Sequence, residues 1–205
     1  MHSNILSHFK LNDQKIYEIL NRLNPDDWFS SINKDNLDEH FLFTKLCREI
    51  ISQQLSGKSA SAIYARFTKL FPSEDIDPQI LVNLDSQILR NCGLSWAKVS
   101  YVKDLGEKLI NKEICLDSLN SLSDDKVISE LIKVKGIGRW TAEMFLMFTL
   151  GREDVFSFGD LGLNKGFCKV YGVESPSKKY IQKVISKWSP YKSYASMALW
   201  KSLEE

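Results

Sequence analysis

The sequence predicts an all-α protein of roughly ten short helices. Three observations carry that expectation. Apolar residues recur at helical spacings of three, four and seven along nearly the whole chain, and no strand-like alternation persists beyond a few residues. Ser, Asp, Gly and Pro stand where helices should start and stop. The 205 residues, 43% hydrophobic and 26% charged, suffice for one large domain or two intimate subdomains with a substantial core.

Taken in order, Asn12 or Asp13 can cap a helix carrying Ile16, Ile19, Leu20 and Leu23, which Asn24-Pro25 stops. Asp38 opens a longer helix through Phe41, Phe43, Leu46, Ile50 and Ile51. The polar stretch Ser52-Gln53-Gln54-Leu55-Ser56-Gly57 separates it from a helix over 58–70 that closes at Phe71-Pro72. Asp77-Pro78 joins a cap to a proline at the first helical position. Asp85 begins a helix ended by Gly93, and Ser95 caps one reaching about residue 111. Ser123 caps a segment bearing Val127, Ile128, Leu131 and Ile132, which runs into the turn Val134-Lys135-Gly136-Ile137-Gly138. A helix over 139–150 ends at Gly151, and further helices follow over 160–170, 177–187 and 193–203. With no internal repeat and no low-complexity linker, a single all-α unit folded as two lobes is expected.

No apolar run approaches the ~18–20 residues of a membrane span, and the first residues lack the apolar core of a secretory signal. A soluble, intracellular protein is expected. Cys47, Cys92, Cys115 and Cys168 lie 45, 23 and 53 residues apart with no CxxC pair and no clustered histidine. That spacing signals neither zinc nor an iron–sulfur cluster, and suits buried free thiols in a reducing compartment. The net charge of +1 announces no polyanion partner, but its distribution is uneven. Residues 161–203 hold eight lysines against one acid, Glu174. Such a patch either attracts a polyanion or solvates helix faces.

The turn at 134–138 is the most informative stretch. Glycines at 136 and 138 allow backbone angles closed to other residues, so the chain can reverse between two helices. The amides of the turn and of the next helix's first turn would then face outward at a helix N-terminus, which suits a phosphate oxygen. Lys135 and Arg139 can add charge and Thr141 a hydroxyl. A bare GxG also fits a plain αα-hairpin. The longer string Leu131-x-x-Val134-x-Gly136-Ile137-Gly138-x-x-Thr141-Ala142 is far more specific.

That string resembles the helix-hairpin-helix motif, here at about 124–150. Followed by Asp154-Val155-Phe156 and Asp160, it resembles the helix-hairpin-helix DNA glycosylase superfamily, most closely the 3-methyladenine DNA glycosylase II branch. Ile50-Ile51-Ser52-Gln53-Gln54-Leu55-Ser56 and Trp188-Ser189-Pro190-Tyr191-Lys192-Ser193-Tyr194-Ala195 with Trp200 agree with it. The resemblance covers about residues 41–200 and is to the short form, without an N-terminal β-domain. It implies a two-lobed helical fold with the active site in the cleft between lobes. One lobe would span about 38–145, the other the N-terminal helices with about 150–205.

The resemblance further implies a base-excision repair glycosylase that flips alkylated purines of the 3-methyladenine and 7-methylguanine type out of double-stranded DNA. It would then hydrolyse the N-glycosidic bond. Asp160 would be catalytic: one carboxylate can stabilise an oxocarbenium-like transition state and orient water, because an alkylated purine is already a cationic leaving group. Gly159-Asp160-Leu161 also reads as an N-cap, and both roles can hold. Gly136, Gly138, Arg139, Thr141 and Lys135 would bind the DNA backbone. Trp140, Met144 and Trp200 would form the base pocket, aromatic rings stacking on a cationic base; tryptophans equally often just pack a core. Met144 and Leu161 stand where some relatives carry tyrosine.

Trp140 occupies the position of the amine nucleophile in bifunctional relatives and cannot form a Schiff base, so no lyase activity is expected. Gln54 or Leu55 would plug the gap left by the flipped base, unless residues 52–57 are only an interhelical turn. No cofactor is required; Na+ or K+ on the backbone carbonyls of Ile132, Val134 and Ile137 is implied by the superfamily alone. A monomer is expected, free of membranes, cytoplasmic at the nucleoid in a bacterium and nuclear in a eukaryote. The alternatives are a glycosylase of this fold for oxidised or mismatched bases, and a non-catalytic helix-hairpin-helix DNA-binding protein. The missing lysine at 140 and the missing four-cysteine cluster argue against the first, and Asp160 at this spacing against the second.

Overall fold

The computed structural model describes residues 2–25, 28 and 37–204. Its α-helices among these residues are α1 (His2–Asn12), α2 (Gln14–Arg22), α3 (Glu39–Ser52), α4 (Gly57–Thr68), α5 (Pro78–Asn83) and α6 (Ser86–Asn91). They continue as α7 (Trp96–Ile110), α8 (Asp124–Leu131), α9 (Arg139–Phe148), α10 (Leu161–Tyr171), α11 (Lys178–Ile185) and α12 (Lys192–Ser202). All regular structure among the described residues is helical, so the all-α expectation holds. The chain divides into two compact units, Asp35–Ala142 and Met1–Lys34 with Glu143–Glu205.

Side-chain caps set most helix starts. Asp13, Asp38, Asp77, Asp85, Ser95 and Ser177 each accept a first-turn amide, as their positions before apolar periodicity predict. Ser56 does the same for α4 through Ser59. Ser123 differs from expectation: it precedes α8 but makes no capping bond, and Asp124 and Asp125 supply negative charge at that positive helix end instead. The last helix starts at Lys192, so Ser193 lies inside it. Buried there, the Ser193 hydroxyl donates to the Arg152 carbonyl (2.6 Å) and accepts the Val155 amide (3.0 Å). Helix α1 was not expected; only Ile5 and Phe9, four residues apart, are buried in it, too few to make a periodic signal.

In the unit Asp35–Ala142, α7 packs against α3, α5 and α6, and Leu42, Phe43, Leu46, Ile50, Phe67, Val102 and Leu105 are fully buried. In the other unit the core gathers Ile5, Phe9, Ile16, Leu20, Leu163, Phe167, Trp188 and Leu199. A polar knot lies within it. Asp13 caps α2, and its Oδ2 also accepts the Trp188 indole N–H (2.8 Å) and the Tyr171 hydroxyl. Burial, then that hydrogen bond, pushes the Tyr171 phenol well above the usual tyrosine value of 10.0.

Cys47 and Cys92 are buried, but Cys115 is exposed and Cys168 half-buried, so burial does not extend to all four free thiols. The lysines of residues 161–203 are partly spoken for. Lys169 donates to the Ser202 carbonyl, Lys192 pairs with Asp154 (2.9 Å), Lys201 pairs with Glu204 (2.9 Å), and Lys178 lies over the Phe158 ring. Much of that charge therefore closes helix ends and local ion pairs. No helix among the described residues is long and apolar enough to cross a membrane.

Replacing Asp13 with Ala removes a cap and strands the buried Trp188 indole N–H and the half-buried Tyr171 hydroxyl, and should lower stability by about 3 kcal/mol in urea unfolding followed by tryptophan fluorescence. The Tyr171 shift predicts a pH effect as well. Above pH 10.0 the unfolded phenol ionises while the folded one keeps its proton, so stability falls as pH rises. The Tyr171→Phe variant should lose that part of the alkaline decline in melting temperature.

Candidate active site

The hairpin is held by one face of α7. Asp104, a buried carboxylate, accepts the Lys135 amide at 2.8 Å through Oδ2, and its Oδ1 lies 3.3 Å from the exposed Lys135 ammonium. The outward-facing cradle expected of this turn is thus smaller than its sequence suggests, because one amide points inward to a carboxylate. The Ile137 amide is also used, by the Val134 carbonyl (3.1 Å).

The two glycines differ in kind. Gly136 has φ +80°, and a Cβ there would overlap the Tyr101 ring packed on it. Gly138 has no positive φ, and a Cβ there would meet nothing within 4 Å. The expectation that both supply special backbone angles is therefore corrected: Gly136 does, while Gly138 leaves bare backbone at the start of α9. Its carbonyl receives the Ala142 amide (3.0 Å). Arg139, exposed, has its guanidinium 3.9 Å from Asp125.

The loop after α3 is built with equal care. Lys98 of α7 sends its ammonium to the carbonyls of Ile51 and Gln53, both at 2.7 Å, closing the negative end of α3. Burial lowers the Lys98 pKa. The Gln53 amide donates to the Gly136 carbonyl at 2.9 Å, tying loop to hairpin. Gln54 then takes a left-handed conformation, φ +56°, and Leu55 is left exposed. Loop and hairpin enclose a cavity of about 520 Å3 lined by Glu49, Ser52, Gln53, Gln54, Leu55, Gly136, Trp140 and Thr141. Trp140 is 47% exposed, whereas Thr141 is buried. Gln54, Leu55, Gly136, Trp140 and Thr141, all singled out in the sequence, thus meet around one cavity in one unit. Glu49 and Gln53 were not singled out.

The other unit carries Asp160 and Trp200. Asp160 is 8% exposed and caps α10, its Oδ1 accepting the Leu163 amide at 2.6 Å and the Trp200 indole N–H at 3.0 Å. Gly162 makes this possible, since a Cβ there would stand 2.9 Å from the indole. The segment before Asp160 is pinned from two sides. Asn164 Nδ2 donates to the carbonyls of Phe158 (3.0 Å) and Asp160 (2.8 Å). The fully buried Ser157 donates to Glu143 of α9 at 2.5 Å, and its carbonyl accepts the Asp160 amide at 3.3 Å.

Trp200 also lies against Phe148, the rings tilted by 33° with centroids 5.9 Å apart. Phe148, 42% exposed, went unnoticed in the sequence; its place four residues after Met144 on α9 was the available signal. Met144 itself is buried, and Leu161 is strongly exposed. Among the described residues no group of three His, Cys, Asp or Glu side chains could hold a metal ion. The carbonyls of Ile132 and Val134 follow the C-terminus of α8, and that of Val134 accepts the Ile137 amide.

A hairpin of this kind, a capped aspartate beyond it and an all-helical frame define a class. Residues 47–190 match the HhH-GPD superfamily of base excision DNA repair proteins, and the chain belongs to that family. It is 34% identical over 167 residues to DNA-3-methyladenine glycosylase 1 of Schizosaccharomyces pombe, covering 78% of this chain and 72% of that protein. It is 31% identical over 173 residues to a putative DNA-3-methyladenine glycosylase of Bacillus subtilis, across 81% of this chain but 60% of that protein's length. The solved S. pombe 3-methyladenine DNA glycosylase in complex with abasic DNA has a TM-score of 0.78 and 29% identity, over 98% of this chain and 97% of that one.

The contrast between the glycines is directly testable. Gly136→Ala should cost about 2 kcal/mol or more, from strain at positive φ plus the clash with Tyr101. Gly138→Ala should cost about 1 kcal/mol at most, the loss of a tolerant cap position. Thermal melts of the two variants side by side would check the order.

Proposed function

We propose that this chain is a monofunctional DNA glycosylase that removes alkylated purines, 3-methyladenine and 7-methylguanine among them, in base-excision repair. The observation that carries the reading is Asp160: a nearly buried carboxylate held in one orientation by the Leu163 amide and the Trp200 indole. Its place at the N-terminus of α10 sets the carboxylate at the positive end of that helix. As the bond between base and deoxyribose breaks, positive charge grows on C1′ and the ring oxygen. A fixed, desolvated carboxylate stabilises that charge without reorganising, and can accept a proton from the attacking water. An alkylated purine departs as a neutral base, so no general acid is required on the leaving group.

The hairpin residues Lys135, Gly136, Gly138, Arg139 and Thr141 bind the DNA backbone, with Gly138 presenting bare backbone to phosphate. Gln54, which is exposed and has a left-handed backbone, or the exposed Leu55 fills the space of the flipped nucleotide. Trp140, Met144 and Trp200 bound the base, and Phe148 joins Trp200 there. Hydrolysis stops at an abasic site, because Trp140 offers no amine for a sugar adduct. A Na+ or K+ would be held by the Ile132, Val134 and Ile137 carbonyls, neutral hard oxygens of which the first lies at the C-cap of α8. It would bring charge to the hairpin and take no part in hydrolysis. The protein acts as a monomer on double-stranded DNA, at the nucleoid or in the nucleus.

Asp160→Asn keeps the capping oxygen and should still bind abasic DNA, while single-turnover release of 7-methylguanine falls by about a thousandfold or more. Near-normal turnover would refute the role of Asp160. With the unaltered protein, borohydride should trap no covalent adduct, and strand breaks should appear only after alkali; a trapped adduct would refute the monofunctional assignment.

A further inference from the structure

Glu49 is an acid in an unfavourable place. It lies in the last turn of α3, where the helix's negative end opposes a carboxylate. Burial raises its pKa, against a smaller lowering by Arg48 and Lys45. Yet neither cation pairs with it. Lys45 lies over the Phe41 ring at 5.0 Å and Arg48 over the Tyr64 ring at 5.3 Å. Lys98, the third nearby cation, is committed to the Ile51 and Gln53 carbonyls. Among the described residues the Glu49 carboxylate has no hydrogen bond and no ion pair. Desolvation and an adverse dipole outweigh the two distant cations, which are turned to other partners, and no hydrogen bond or ion pair among the described residues uses the charge.

What Glu49 does have is the cavity it lines with Trp140, Gln53, Gln54 and Thr141. Trp140, which is 47% exposed, lines the same cavity, and an indole ring attracts a flat cation more strongly than a neutral ring. A carboxylate beside that indole accepts hydrogen bonds from an exocyclic amine or a protonated ring nitrogen, and attracts positive charge.

Resting on the glycosylase reading, we infer that Glu49 is a specificity-determining residue, whose carboxylate meets the flipped base in this cavity and selects cationic N-alkylated purines. An alkylated purine brings both the positive charge and the donor hydrogens that Glu49 lacks, and a neutral purine brings no charge. The selection acts on the base, so it is separate from the stabilisation of the sugar by Asp160.

The test is single-turnover release of 7-methylguanine from duplex DNA by the intact chain and by Glu49→Gln and Glu49→Asp, with abasic-DNA affinity and melting temperature measured alongside. Glutamine keeps the shape and removes the charge. It should slow release about tenfold or more, the factor expected for losing one short-range ion contact in a partly screened site. Aspartate restores the charge and should recover part of the rate. Abasic-DNA affinity should stay unchanged in both, since no base is present to read. A Glu49→Gln rate within about twofold of the parent overturns the inference and leaves the glycosylase reading intact. Equal slowing by both variants, or slowing matched by lost abasic-DNA affinity, also overturns it. No release by the unaltered protein overturns both.

Discussion

The hydrogen bond from the Lys135 amide to the buried Asp104 carboxylate sets the geometry of the candidate DNA-binding surface. A buried carboxylate must be satisfied, and here it is satisfied by the backbone of the turn that should face phosphate. Three residues of α7 at successive three-residue steps share the task. Asp104 holds Lys135, Tyr101 packs on Gly136, and Lys98 closes the end of α3. Gln53 then joins the two by its bond to the Gly136 carbonyl. One rigid helix thereby fixes both a loop and a hairpin that are far apart in sequence. Surfaces that must deform DNA need such support, because any looseness would be spent before the duplex yields.

This dependence explains what the sequence could and could not disclose. Helix starts were legible because capping is local: Asp38, Asp77, Asp85 and Ser95 precede the amides they satisfy by two or three residues. The hairpin and Asp160 were legible as a pattern, since their spacing is carried by contiguous residues. Asp104, Tyr101 and Lys98 were not, because their partners lie 31, 35 and 47 residues away and nothing local distinguishes them from the exposed face of a helix. Tertiary contacts also explain the misreading of Gly138. Two glycines in a GxG look equivalent, and only the ring of Tyr101 and the sign of φ separate them. Ser193 shows the same limit: expected as the first residue of the last helix, it lies inside that helix with its side chain drawn inward to Arg152 and Val155.

The segment leading to Asp160 shows how a capping residue becomes a site. An N-cap aspartate is common and by itself implies nothing. This one is approached from three directions: Asn164 clamps the backbone carbonyls beside it, Ser157 is locked to Glu143, and Trp200 reaches across Gly162 to its Oδ1. A cap needs only the Leu163 amide. The additional donors restrict where the carboxylate can point, which a helix start does not require and a charge-stabilising group does.

The two acids that matter most stand at opposite ends of their helices, and the difference separates their roles. Asp160 sits at a positive end with the Leu163 amide and the Trp200 indole donating to it. Such a group can stabilise a fleeting cation without changing itself. Glu49 sits at a negative end, partly desolvated, with its neighbouring cations turned to aromatic rings. Its charge is least favourable in the empty protein and gains most from a positive ligand. The first arrangement suits a transition state; the second suits recognition, where the free energy released on filling the cavity depends on what fills it. Lys45, four residues before Glu49 and the helix position from which an ion pair could form, is turned to the Phe41 ring instead.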